Sequence, residues 1–202
     1  MQNSFKNDKV IHNITPGHYT GILRRDYAEI LRRGGVNVLV RLAGMVRESV
    51  VDGPGLRTVV FFQGCPHHCP GCHNPETWDS VSGILADSEE VLAAIGYPGL
   101  ISGVTFSGGE PFQQSEALAH LAKECKRRGF HIMVYTGYLW EQLLTSTDQS
   151  IAECLTAIDL LVDGPFVEKQ KCLLPFRGSS NQRIINVPDS LQTGKVITDP
   201  RY

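Results

Sequence analysis

From residue 36 the chain alternates between short β-branched apolar runs and longer stretches with helical spacing. That alternation is its strongest constraint on fold. VNVLVRLAGMV (36–46), TVVFF (58–62), LISGVTF (100–106), HIMVY (131–135), AIDLLV (157–162) and QRIINV (182–187) read as strands. They are rich in residues that suit a pleated, half-buried surface. Between them, residues 87–95 put Val91, Leu92 and Ile95 on one helical face behind an Asp87/Glu90 capping pair. Residues 114–128 align Leu118, Leu121, Ala122 and Cys125, with Gly129 beyond the end, and 138–146 reads as a third helix. Such alternation predicts a parallel α/β sheet. A complete eightfold barrel takes roughly 250 residues, more than the stretch 36–202 provides. The expectation is therefore a partial, laterally open (β/α) barrel of about six parallel strands. Residues 1–35, with a helix predicted over 22–33 and stopped by Gly34-Gly35, form an N-terminal appendage to the 36–202 domain.

The unusual segments share one position in this pattern. GCPHHCPGCHN follows the 58–62 strand, SGGEP the 100–106 strand, TGY the 131–135 strand and DGPF the 157–162 strand. Ligand sites in parallel α/β folds form at the carboxyl ends of strands. Four distinctive loops at one rim predict one shared site.

The longest apolar runs are far too short to span a bilayer, and MQNSFKNDKVIHN lacks the apolar core of a secretory signal. A net charge of −2 gives no basic excess for nucleic acid or an anionic membrane. The expectation is a cytoplasmic protein with neither partner. In that compartment Cys65, Cys69 and Cys72 read as metal ligands rather than disulfide halves. Thiolates suit zinc or an iron–sulfur cluster, and Gly64, Pro66, Pro70 and Gly71 let the backbone wrap tightly. Three thiolates are one short of four. Either His67, His68 or His73 completes a structural zinc site, or a cluster keeps one iron open to a substrate. Cys125 and Cys154 read as small core residues, and Cys172 lies in a loop.

Cys-x3-Cys-x2-Cys after a strand, with Gly-Gly-Glu-Pro downstream, resembles the radical S-adenosylmethionine superfamily. DGPGLRTVVFFQGC (52–65) is similar to its glycyl-radical-enzyme activases. TGY (136–138), LLVDGPF (160–166) and RGSSNQR (177–183) narrow the resemblance to those serving an anaerobic (class III) ribonucleotide reductase. It covers roughly residues 43–187. It implies a [4Fe-4S] cluster on Cys65, Cys69 and Cys72, with S-adenosyl-L-methionine on the open iron. Gly71, Cys72 and His73 would lie against that cofactor. Gly108, Gly109 and Glu110 would take its ammonium group, and Asp163 would stand at its polar edge. No catalytic residue is implied beyond cluster and cofactor. The implied partners are the anaerobic ribonucleoside-triphosphate reductase and a low-potential donor such as flavodoxin or ferredoxin. The plainer readings are a turn for SGGEP and DGPG, a turn-forming aspartate for Asp163, and a polar surface loop for 177–183. The alternatives in function are activation of pyruvate formate-lyase, a reaction like that of 7-carboxy-7-deazaguanine synthase, or a zinc-binding interaction module.

Overall fold

The computed structural model describes residues 38–202. The predicted appendage and its 22–33 helix lie outside the described residues. The chain forms strands β1 (Leu39–Ser49), β2 (Arg57–Phe62) and β3 (Ile84–Asp87), then helix α1 (Ser88–Ile95) and β4 (Gly103–Gly108). After these come α2 (Ser115–Arg127), β5 (His131–Tyr135), α3 (Trp140–Leu144), α4 (Gln149–Leu155), β6 (Leu160–Asp163), β7 (Arg183–Asn186) and α5 (Val187–Thr193).

The strands make one open seven-stranded sheet in the order β3-β1-β2-β4-β5-β6-β7. The sheet is open, as expected, and the expected count of about six parallel strands is corrected. The six predicted strands are present, but only β2, β4, β5 and β6 form a parallel run. β1 runs antiparallel to β2 and β3, and β7 antiparallel to β6. The connection from β1 to β2, residues 50–56, explains the first reversal. A parallel crossover takes a dozen or more residues, so a connection this short can only make a hairpin.

Helices cover one face of the sheet. Val91, Leu92 and Ile95 of α1, Leu118, Leu121, Ala122 and Cys125 of α2, and Cys154 and Leu155 of α4 share a core with Val60, Phe62, Val104, Phe106, Ile132, Val134 and Leu161. Asp87 caps α1 as its sequence suggests, accepting from the Glu89 N–H while Glu90 reaches back. Cys125 and Cys154 are fully buried in this core, as expected of small core residues. The alternate strand residues Met133, Leu160, Val162 and Ile184 form a smaller cluster on the other face, with Tyr135, Phe176 and Tyr202 packed on it.

The amino-terminal edge of the parallel strands is held by Arg57, a fully buried guanidinium. It donates to the carbonyls of Pro54 (3.0 Å), Val104 (2.7 Å) and His131 (2.9 Å) and to Thr105 Oγ1 (2.7 Å). Thr105 passes the contact on to the Asp52 carbonyl at 2.8 Å. Burial lowers the Arg57 pKa to about 10. The 52–55 turn sits at the opposite end of β2 from Cys65, about 17 Å along a six-residue strand. Gly103 is required there, because a Cβ would come within 2.2 Å of the guanidinium. Replacing Arg57 with Leu strips three carbonyls of their donor and is expected to cost at least about 3 kcal/mol. Urea unfolding checks this, and a loss below about 1 kcal/mol would contradict a bolting role.

Candidate active site at the carboxyl edge of the sheet

Because β2, β4, β5 and β6 run parallel, the four chemistry-bearing loops leave the same edge, as the strand order requires. The cysteine loop is pinned at its feet. Gly64 N–H donates to the Thr77 carbonyl at 2.8 Å and Cys65 N–H to that of Trp78 at 3.1 Å. The Gln63 amide donates to the carbonyls of Glu76 (3.1 Å) and Asp79 (2.6 Å). Inside the loop, Cys72 N–H closes a turn on the Cys69 carbonyl at 3.1 Å. Gly71 supplies that turn's left-handed φ of 73°.

Cys65, Cys69 and Cys72 are free thiols and partly exposed. Burial pushes the Cys65 thiol up, while the backbone N–H groups of His67 and His68 pull it back. Asn74 N–H lies 3.4 Å from Cys72 Sγ. Such N–H···S contacts stabilise thiolate and tune a thiolate-held metal centre. Among the described residues no three His, Cys, Asp or Glu side chains are gathered into a metal cage. The thiols share a loop, and a metal would draw their mutually repelling thiolates together. The imidazoles diverge to separate partners. His67 bonds Glu110, His68 stacks on Trp78 with centroids 4.9 Å apart, and His73 tilts against Phe166 at 5.2 Å. The loop also walls a cavity of about 480 Å³ shared with Arg41, Gln63, Trp78 and Gln114, within the size range of small-molecule sites.

Glu110 is fully buried, and its carboxylate joins three loops. Oε1 accepts from Phe112 N–H (3.0 Å), and Oε2 from Gly137 N–H (2.8 Å). His67 Nε2 lies 2.8 Å from Oε2, and the Thr136 hydroxyl donates to both oxygens at 2.9 Å. A carboxylate offers about four acceptor sites, and these four donors occupy them. The resemblance casts Glu110 as an acceptor for a ligand ammonium. Within the protein, the carboxylate ties the cysteine loop to the ends of β4 and β5.

The glycine pair serves the same junction. Gly109 N–H donates to the Phe62 carbonyl and Glu110 N–H to that of Gly64, both at 2.8 Å. A Cβ on Gly109 would stand 2.3 Å from the Gly64 oxygen, and one on Gly108 would stand 2.6 Å from the Phe62 oxygen. The close approach that demands glycine here is to the protein's own backbone.

Asp163 is likewise fully buried. Its carboxylate accepts from Trp140 N–H at 2.8 Å, the first residue of α3, and from Arg183 Nε at 3.0 Å. A second Arg183 nitrogen pairs with the same carboxylate. Arg183 also reaches Glu141 at 3.0 and 2.9 Å, and those hydrogen bonds hold the Glu141 carboxyl below its ordinary range. Asp163 thus anchors a helix start and an ion pair. Beyond it, residues 164–182 make a strap that reaches the cysteine loop. Phe166 meets His73, and a Cβ on Gly71 would stand 2.9 Å from the Glu168 carboxylate.

Sequence reasoning offered His67 only as a zinc ligand and gave Arg57 no contact. Thr136 and Gly137 carried a rim or turn reading, without Glu110 as partner. All four roles depend on partners distant in the chain, and no local pattern signals them.

Residues 51–185 match the family described as a 4Fe-4S single cluster domain. The pyruvate formate-lyase-activating enzyme of Clostridium pasteurianum is 42% identical over 120 residues, covering 55% of this chain and 50% of that protein. The anaerobic ribonucleoside-triphosphate reductase-activating protein of Enterobacteria phage T4 is 34% identical over 147 residues, covering 70% of this chain and 90% of that protein. The crystal structure of QueE from Escherichia coli aligns with a TM-score of 0.41 and 23% identity, over 49% of this chain and 52% of that one. The chain spans half the length of the first relative and nearly all of the second. It belongs to the 4Fe-4S single cluster domain family and, within it, to the anaerobic ribonucleoside-triphosphate reductase-activating proteins.

Replacing Glu110 with Ala leaves the Gly137 and Phe112 N–H groups and the Thr136 hydroxyl without their acceptor. Amides of residues 64–73 are expected to exchange at least about tenfold faster in Glu110→Ala than in the wild type. Unchanged exchange would show that the carboxylate does not hold the loop.

Proposed function

We propose that this protein activates an anaerobic ribonucleoside-triphosphate reductase by placing a glycyl radical on it. The observation that carries this reading is a three-thiol loop braced through Glu110 to the neighbouring parallel strand ends. The donor set fits a [4Fe-4S] cluster with one open iron: three free thiols in one loop, a backbone N–H at the Cys72 sulfur, and imidazoles engaged elsewhere. Cys65, Cys69 and Cys72 would hold the cluster. Gly71, His73 and the Gly108–Gly109 turn would border S-adenosyl-L-methionine. Glu110 and Asp163 would act by holding the rim that contains it. When bound, cluster and cofactor supply reductive cleavage of the sulfonium carbon–sulfur bond to methionine and a 5′-deoxyadenosyl radical, which takes a hydrogen atom from a reductase glycine.

The electron would come from a low-potential donor such as flavodoxin or ferredoxin, in the cytoplasm. The net charge of −2 supports a role apart from nucleic acid and membrane surfaces. Among the described residues no helix is long and apolar enough to cross a membrane. Activation of pyruvate formate-lyase is a second reading, favoured by the 42% identity to its activating enzyme. Coverage favours the reductase, since 90% of the phage T4 protein is spanned against 50% of that enzyme.

Anaerobic incubation of the reconstituted protein with S-adenosyl-L-methionine, a reductant and the reductase is expected to put an organic radical signal on the reductase. Cys69→Ala is expected to lose bound iron and cofactor cleavage together, both to background. Cofactor cleavage retained by that variant would contradict the ligand assignment.

A further inference from the structure

The strap between β6 and β7 carries a feature that the site chemistry does not use. At its tip Leu173 is fully exposed and Leu174 half-exposed (44%). A lone surface leucine needs no explanation, but this pair sits on a segment built to hold its shape. Cys172 N–H donates to the Gly178 carbonyl at 3.2 Å, and Ser180 N–H to that of Gln170 at 2.8 Å. Gln182 Oε1 accepts from the N–H groups of Gly178 (2.9 Å) and Ser179 (3.2 Å), and its Nε2 donates to the Gly164 carbonyl at 3.0 Å. Ser179 is buried and accepts from Val167 N–H at 3.1 Å.

Phe176 adds strain to this frame. Its φ is 56°, a left-handed value that is an outlier for a bulky side chain. Such a conformation persists only where the surroundings over-determine it, and it marks clamps and binding segments. The ring packs edge-on against Tyr202, with centroids 5.0 Å apart. The apolar phenylalanine thus turns inward, while the leucines two and three residues earlier stay in water.

Charge and position narrow the occupant. Lys169 and Lys171 are exposed beside the tip and Arg177 follows it, against one acid, Glu168. Arg177 Nε is buried and has no acceptor among the described residues. Near the start of the strap Glu168 lies beside Gly71, next to Cys72, where a Cβ would stand 2.9 Å from its carboxylate. A fully extended chain from Glu168 to Leu173 reaches at most about 18 Å. A standard interface of about 800 Å² per partner is a disc of about 16 Å radius. One protein interface can therefore cover both the leucine pair and the cysteine loop.

We propose that the Leu173–Leu174 tip, with its basic flank, is the docking surface for the reductase and seats an apolar patch rimmed by carboxylates near the target glycine. This rests on the functional reading above. The frame is preformed, which lowers the ordering cost of association, and the bases steer the encounter.

The test uses the reconstituted full chain and measures radical formation on reductase at limiting reductase concentration. The double variant Leu173→Asp/Leu174→Asp is expected to need at least about tenfold more reductase for half-maximal radical. Its reduced-cluster spectrum and its cofactor cleavage without reductase are expected to stay at wild-type levels. Lys169→Glu/Lys171→Glu is expected to weaken coupling most at low salt. Leu100→Asp, at a residue 91% exposed in the loop before β4, is expected to change nothing. Wild-type reductase dependence in both tip variants would overturn the proposal. A wild-type protein that cleaves the cofactor yet puts no radical on reductase would overturn the functional reading, and the docking assignment with it.

Discussion

Taking a carboxylate out of water is costly unless donors replace the lost hydration. Glu110 meets that condition through His67, Phe112, Thr136 and Gly137, which come from the cysteine loop, the turn after β4 and the end of β5. No single loop could satisfy the group alone. The burial of one side chain therefore requires the three loops to assemble together, and the assembled rim fixes where the cysteines stand. Gly108 and Gly109 complete the constraint from the backbone side. They let the β4 turn close onto Phe62 and Gly64 at distances that no side chain would allow.

The sheet supplies the platform for that junction. Its parallel run gathers four strand ends at one edge, and the antiparallel strands flank the run. The two edges are held by different chemistry. Arg57 gathers carbonyls at the amino-terminal edge, and Glu110 gathers donors at the carboxyl edge. Asp163 repeats the logic at the far side of the rim, where it starts α3 and pairs with Arg183 of β7. In this arrangement the acidic residues nearest the rim act through geometry. They hold the loops that carry the three thiols and the glycine pair.

Much of this was legible in the sequence. Periodicity located the six main strands, and the Asp87/Glu90 pair marked the start of α1 correctly. The shared rim of the four loops followed from strand–helix alternation alone. Strand direction did not follow. A short connection such as 50–56 forces a hairpin, yet the apolar pattern of β1 resembles that of a parallel strand. The short β3, α4 and α5 escaped because four to seven residues carry too little periodicity to register. At the site, the cysteines and the Gly-Gly-Glu run were visible as types and spacings. What Glu110 and Asp163 bind was not, because their partners lie 20 or more residues away for every contact beyond Phe112.

The central claim is that the Cys65–Cys69–Cys72 loop holds an iron–sulfur cluster with a position open to S-adenosyl-L-methionine. Anaerobic electron paramagnetic resonance tests it most directly. The protein is reconstituted with iron and sulfide, reduced, and recorded before and after the cofactor is added. The account predicts a reduced [4Fe-4S] signal whose shape changes on addition. A chain that takes up zinc and gives no cluster signal, or a cluster signal indifferent to the cofactor, would contradict it.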